Sequence, residues 1–208
     1  MTRGALRAVN VAVDHGVPLL LSAAVEAESV RRTVLSAAPE WRTYGLPRAE
    51  AAGVRARWRQ EVQRLRAAGE LLDTRDVVLA HGVRAELAAR GWDREWDEAP
   101  EEAWDQGRWP GSRNGGYPDR VPARLDEALV RQVVAACWHT SCEAITALRA
   151  WRDAHPHIVL LRHRPADGDE PTGPLAEYER LAAQVTTTGT IYRAGLTRGI
   201  NAAHALTP

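Results

Sequence analysis

Three groups of side chains in this 208-residue chain have types and spacings suited to chemistry. The first is arginine on a helix: between Pro47 and Ala68, Arg48, Arg55, Arg59 and Arg66 share a row beside an apolar stripe, so their guanidiniums can track a line of phosphates. The second is Arg120 and Arg124, placed by period-two alternation on one face of a strand whose other face carries Val121, Ala123 and Leu125. The third is Cys137, His139 and Cys142, with His155, His157 and His163 further on. Thiolates with imidazole suit zinc, but the C-x₂-C pairs of ribbons and knuckles are missing, and Cys137 fits a helix core as a small apolar residue. Metal binding is therefore the third-ranked reading, and no cofactor is called for.

Catalytic signatures are absent. The chain has no phosphate-cradling Gly loop with Lys, no paired-Gly dinucleotide fingerprint, no G-x-S-x-G and no H-E-x-x-H, and without any Lys it offers no Schiff-base amine. The expectation is a protein that is not an enzyme.

Composition restrains the arginine argument. All 27 basic residues are Arg, and Phe is absent as well as Lys. A GC-rich coding sequence produces both biases, so only the placement of arginine counts. Net charge is zero, which removes the global pull toward nucleic acid that a strongly basic chain has. The distribution is uneven, however: Arg42 to Arg66 holds seven Arg against Glu50 and Glu61, whereas Trp92 to Asp105 holds seven carboxylates against Arg94. That acidic segment is expected to lie against the arginine row and mask it.

The apolar stretch after Arg3 and Arg7 is interrupted by Asp14 and His15, and Glu26 and Glu28 fall where a signal-peptide cleavage site would need small residues. No run is long and apolar enough to span a bilayer. With two Cys and no disulfide framework, a cytoplasmic location is expected and no membrane partner.

These residues must be positioned by helices. Pro18 to Ala38 reads as one helix or two short ones, with Val30, Val34 and the Ala positions at helical spacing. The next runs from Pro47 to Ala68, with Gly69 just past its end and Ala51, Val54, Trp58, Val62 and Leu65 on one stripe. Asp73 or Thr74 caps a third, stopped by Gly91. Gly91 to Pro122 is a long loop whose four Trp must pack over neighbouring helices, because each indole has much apolar area to bury. Asp126 then caps a helix through Cys137, and Ser141 a second through Trp151. Ile158 to Arg162 reads as a short strand, and two helices follow, Leu175 to Val185 and Thr190 to Ala203. The fold class is mainly α, a helical bundle with short helical hairpins and at most a minor β ribbon. The parts are an N-terminal helical domain (1–91), a Trp-rich acidic linker (92–119) and a C-terminal helical domain (120–208).

Two segments resemble DNA-binding motifs. Residues 120–152, a strand with Arg120 and Arg124 outward followed by two capped helices, resemble a ribbon-helix-helix half. The resemblance implies a homodimer whose paired strands enter the major groove, with the amide end of the Ser141 helix on phosphate. Pro122 and the His139-Thr140 turn depart from that pattern. Residues 175–203 resemble a helix-turn-helix, in which Thr190, Tyr192, Arg193 and Arg198 would bear base and phosphate contacts. The expected function is a non-catalytic DNA-binding or transcription-regulatory protein acting on duplex DNA. The alternative is a protein-protein adaptor without nucleic acid.

Overall fold

The structure is a computed structural model that describes residues 5–105, 109, 116–158 and 172–206. It is mainly α with a two-stranded antiparallel ribbon, as the sequence implies. In chain order the elements are β1 (Leu6–Val13), α1 (Val17–Ser36), a 3₁₀ turn (Pro39–Trp41), α2 (Arg48–Ala67), α3 (Arg75–Ala89), a 3₁₀ turn (Glu101–Trp104), β2 (Asp119–Asp126), α4 (Glu127–Ala154), α5 (Pro174–Ala182) and α6 (Thr188–Leu206). The short strand expected from Ile158 to Arg162 falls mostly outside the described residues.

Local chemistry sets most boundaries. Pro47 immediately precedes α2, and Gly69 just past its end adopts a left-handed φ of 72°. A side chain at Gly69 would also meet the His81 imidazole at 2.6 Å, so this position admits little else. The Thr74 hydroxyl accepts from the Val77 N–H at the start of α3, and the Asp126 carboxylate accepts from the Ala128 N–H at the start of α4.

The sequence reading missed β1. It pairs with β2 in a register that sets Val11 opposite Val121 and Arg7 opposite Leu125. The ribbon is therefore closed within one chain, with the N-terminal strand where a twin subunit's strand was expected. On β2, Val121, Ala123 and Leu125 are buried while Arg120, Pro122 and Arg124 are exposed, the expected alternation. Pro122 does not cost a ladder bond. The Arg124 N–H points away from β1 to the Asp76 carboxylate at 2.9 Å, and residues two apart on a strand point their amides the same way. The missing donor of Pro122 thus lies on the outer edge.

One core receives side chains from β1, α1, α3, β2, α4 and α6, so residues from both sides of the Trp-rich segment pack together. At its centre α3 and α6 are in backbone contact. A Cβ on Gly82 would sit 1.8 Å from the Gly195 carbonyl oxygen, and one on Gly199 would sit 2.2 Å from that of Val78. Only glycine permits this spacing. Two helices were expected between Asp126 and Trp151, with a cap at Ser141. Instead α4 runs unbroken for 28 residues. Thr140 returns its hydroxyl to the Ala136 carbonyl, which lets a polar triplet continue the helix. Ser141 is fully buried and holds the α5–α6 connection, accepting from the Thr186 N–H at 2.9 Å.

Candidate nucleic-acid interface

Helix α2 stands its arginine row in solvent. Arg48, Arg55 and Arg59 are exposed, lie within about 40° of one another and of Arg66 around the axis, and have no ion-pair partner among the described residues. The acids of the helix do not neutralise the row. Glu50 and Glu61 project about 140–160° away from Arg66, and Glu61 and Glu70 both pair with Arg64 on that far side. The Arg64 hydrogen bond holds the Glu61 carboxyl below its ordinary value.

Arg66 is anchored rather than free. It donates to Asp73 at 2.7 and 2.9 Å, and Arg32 of α1 donates to the same carboxylate at 2.7 Å. Burial pushes the Asp73 carboxyl up, but the two guanidiniums outweigh it and hold the group below the usual carboxylate range. Beside it, the buried Glu28 accepts from the Leu72 N–H at 2.9 Å and from Arg31. Two buried carboxylates thus fix the turn from α2 into α3, and with it the direction of the row.

Two grooves flank the row and share Gln63 and Arg66. One, of about 520 Å³, lies toward α1 and includes Arg32, Trp58 and Arg59. The other, of about 540 Å³, lies toward α3 and the ribbon and includes Arg84, His81 and Arg124. The sequence candidates Arg66 and Arg124 are therefore brought to one groove, and Arg84, which sequence reasoning missed, joins them. Arg84 follows Val77 by seven residues and His81 by three, so all three share a face of α3; that pattern was legible but its partner across the groove was not. Asp76 and Asp126 also line this groove, where they accept the backbone N–H groups of Arg124 and Ala128. Arg120, exposed on the same strand face as Arg124, extends the surface along the ribbon.

The helix-turn-helix candidates do not form a second face. α6 is a core helix, with Ile191, Tyr192, Gly195, Leu196, Gly199 and Ile200 buried. Tyr192 is 7% exposed, and burial pushes its hydroxyl well above the ordinary tyrosine range. Arg193 lies over the Tyr117 ring at 4.0 Å from its centroid. Arg198 pairs with Glu86, which Arg90 also engages; burial raises that carboxyl, and the two arginines bring it below its ordinary value. Thr190 is exposed, but its amide and hydroxyl close the α6 start on Thr187.

The acidic segment does not mask the arginine row. It packs on α4 and β1: Gln132 donates to the Trp92 and Arg94 carbonyls, His139 contacts the Asp97 carbonyl at 3.0 Å, and Arg7 stands over Trp104. Trp92, Trp96 and Trp109 reach the core, as the area of an indole demands. The groove they leave, about 1020 Å³, is edged by Asp93, Glu95, Asp97, Glu98 and Glu101 with Arg7, Arg94 and Arg131.

The Cys/His group does not converge. On the continuous α4, Cys137 points about 140° away from Cys142, into the core, where burial pushes its thiol up to about 12. His139 stacks on Trp96 instead, His155 stacks on Trp151, and His163 lies outside the described residues. Among the described residues no group of three His, Cys, Asp or Glu is placed to hold a metal. No helix among them is long and apolar enough to cross a membrane. Comparison with protein-family models, curated proteins and solved structures finds no match to this chain.

Proposed function

We infer that this is a non-catalytic protein that binds duplex DNA, with a regulatory role, through the exposed row of α2 together with Arg84, Arg120 and Arg124. One observation carries the reading: Arg48, Arg55 and Arg59 on α2, Arg84 on the α3 side of the shared groove, and Arg120 and Arg124 on the outer ribbon face have no ion-pair partner among the described residues, while Glu50 and Glu61 are turned to the far side of α2. From Arg48 to Arg59 the row is about 16 Å long, enough to follow a few phosphates of one duplex, while Arg66 beyond it is held on Asp73. Guanidiniums suit that task because each can grip a phosphate with two parallel N–H groups.

The test is fluorescence anisotropy with a mixed-sequence duplex across a salt series. Binding should weaken with a log–log slope of about −0.9 per phosphate contact. Replacing Arg55 and Arg59 with Ala should flatten that slope by about 2 and leave the fold unchanged, since neither has an ion-pair partner among the described residues. No binding at about 50 mM salt, or binding that salt does not affect, overturns the reading.

A further inference from the structure

Helix α1 carries an apolar seam on the side turned away from the core. Leu21, Ala24 and Glu28 face inward and are buried. About 120° around the axis from them, Leu20, Ala23, Ala27, Val30, Val34 and Ala37 recur at alternating steps of three and four residues, the spacing of a coiled-coil seam. Leu20 is 54%, Val30 61% and Val34 68% exposed, and Leu19 on the rim is 76% exposed. Scattered exposed apolar residues need no explanation, but a continuous stripe five turns long does.

We propose that α1 docks antiparallel against α1 of a second copy of this chain. The sizes of the seam residues single out that occupant. Antiparallel pairing about a two-fold axis between residues 28 and 29 sets Leu20 against Ala37 of the second copy, Ala23 against Val34, and Ala27 against Val30. Each layer then combines one alanine with one larger side chain, and symmetry repeats the three layers as six, so the surface is complementary to itself. Parallel in-register pairing would set Ala on Ala and Val on Val, leaving gaps beside bulges. The flanking charges agree. In the antiparallel arrangement Glu26 lies near Thr33 of the second copy and Arg31 near Ala24, so no like charges meet; Arg31 is in any case held by Glu28 and the Glu70 carbonyl.

A seam of about 26 Å reaches only the ~1,000 Å² floor of specific interfaces, so the dimer is reversible and concentration-dependent. It arises from α1, not from the ribbon, and does not depend on the DNA-binding reading.

Sedimentation velocity across a concentration series tests it. The expected result is a monomer–dimer equilibrium in which Val30→Glu with Val34→Glu weakens association at least about tenfold, by placing charge in a desolvated seam. Both positions are more than half exposed, so circular dichroism should be unchanged, and so should melting at concentrations where the wild type is monomeric. Orientation is read in a Cys142→Ser background. Chains carrying Ala23→Cys and Val34→Cys should cross-link to each other on mixing, while neither forms a disulfide dimer alone. A monomer at about 0.3 mM, a dimer indifferent to the two glutamates, or efficient Val34→Cys self-cross-linking overturns the proposal.

Discussion

Helices α2 and α6 look alike in sequence: each follows a segment of turn residues, and each carries arginines at helical spacing beside an apolar stripe. In the fold they have opposite fates. α6 lies against α3 through Gly82, Gly195 and Gly199, and its arginines are drawn onto Glu86 and Tyr117. α2 meets no such surface along its arginine row, and Arg48, Arg55 and Arg59 stay in water. The difference teaches that an arginine's role is set by what stands opposite it, and that small residues choose which helix is drawn inward. A stability measurement should therefore respond to α6 and the α2–α3 turn, and a binding measurement to α2.

The largest effect is expected at the α3–α6 contact. Gly82→Ala should destabilise by about 3 kcal/mol or more, because its Cβ would overlap a backbone oxygen that cannot move aside, far outweighing the ~1 kcal/mol gain in helix propensity. Denaturant unfolding checks it; a neutral result would mean that α6 is not a core helix and would break the contrast.

Next comes Asp73→Asn, expected to lower stability by about 2 kcal/mol at neutral pH by removing the charge that two guanidiniums share. The folded state holds this carboxyl below its unfolded value, so its contribution is full above the unfolded pKa and is lost as pH falls through the folded one. The gap between wild type and variant should close on acidification. It should also blur the binding difference, since Arg66 is then released toward the row.

Arg198→Ala should cost only about 1 kcal/mol, because Arg90 still engages Glu86, and should leave DNA affinity and its salt slope unchanged. Equal losses of affinity in this variant and in the Arg55, Arg59 pair would erase the distinction between the helices.

The smallest effect is expected on the acidic segment. Replacing Asp97, Glu98, Glu101 and Glu102 by their amides removes charge that sits over α4, leaving only screened long-range repulsion, so affinity should rise by no more than about twofold at physiological salt. A larger rise would return these carboxylates to the arginine face.

The mainly α class, the α2 and α3 boundaries, the β2 alternation and the packing of Trp92, Trp96 and Trp109 were legible in the sequence, whereas Trp104 stays 36% exposed under Arg7. They rest on local rules: Pro before and Gly after a helix, a capping hydroxyl or carboxylate, a period of two or 3.6, and the area of an indole. β1 was legible in principle from Val9, Val11 and Val13, but alternation alone names no partner, and the strand it meets lies more than a hundred residues away. On α1 the periodicity of Val30 and Val34 was real, but a helix with two apolar faces does not say which one the core will take, and the core takes Leu21 and Ala24. The Ser141 hydroxyl suits a helix start by local rules; only the arrival of Thr186 beside it makes a mid-helix serine a buried anchor. Tertiary structure likewise decided which arginines are free. Ion pairing depends on distance in space, and Arg66 with Asp73, Arg198 with Glu86 and Arg84 with Arg124 across a groove become neighbours only once the chain has folded.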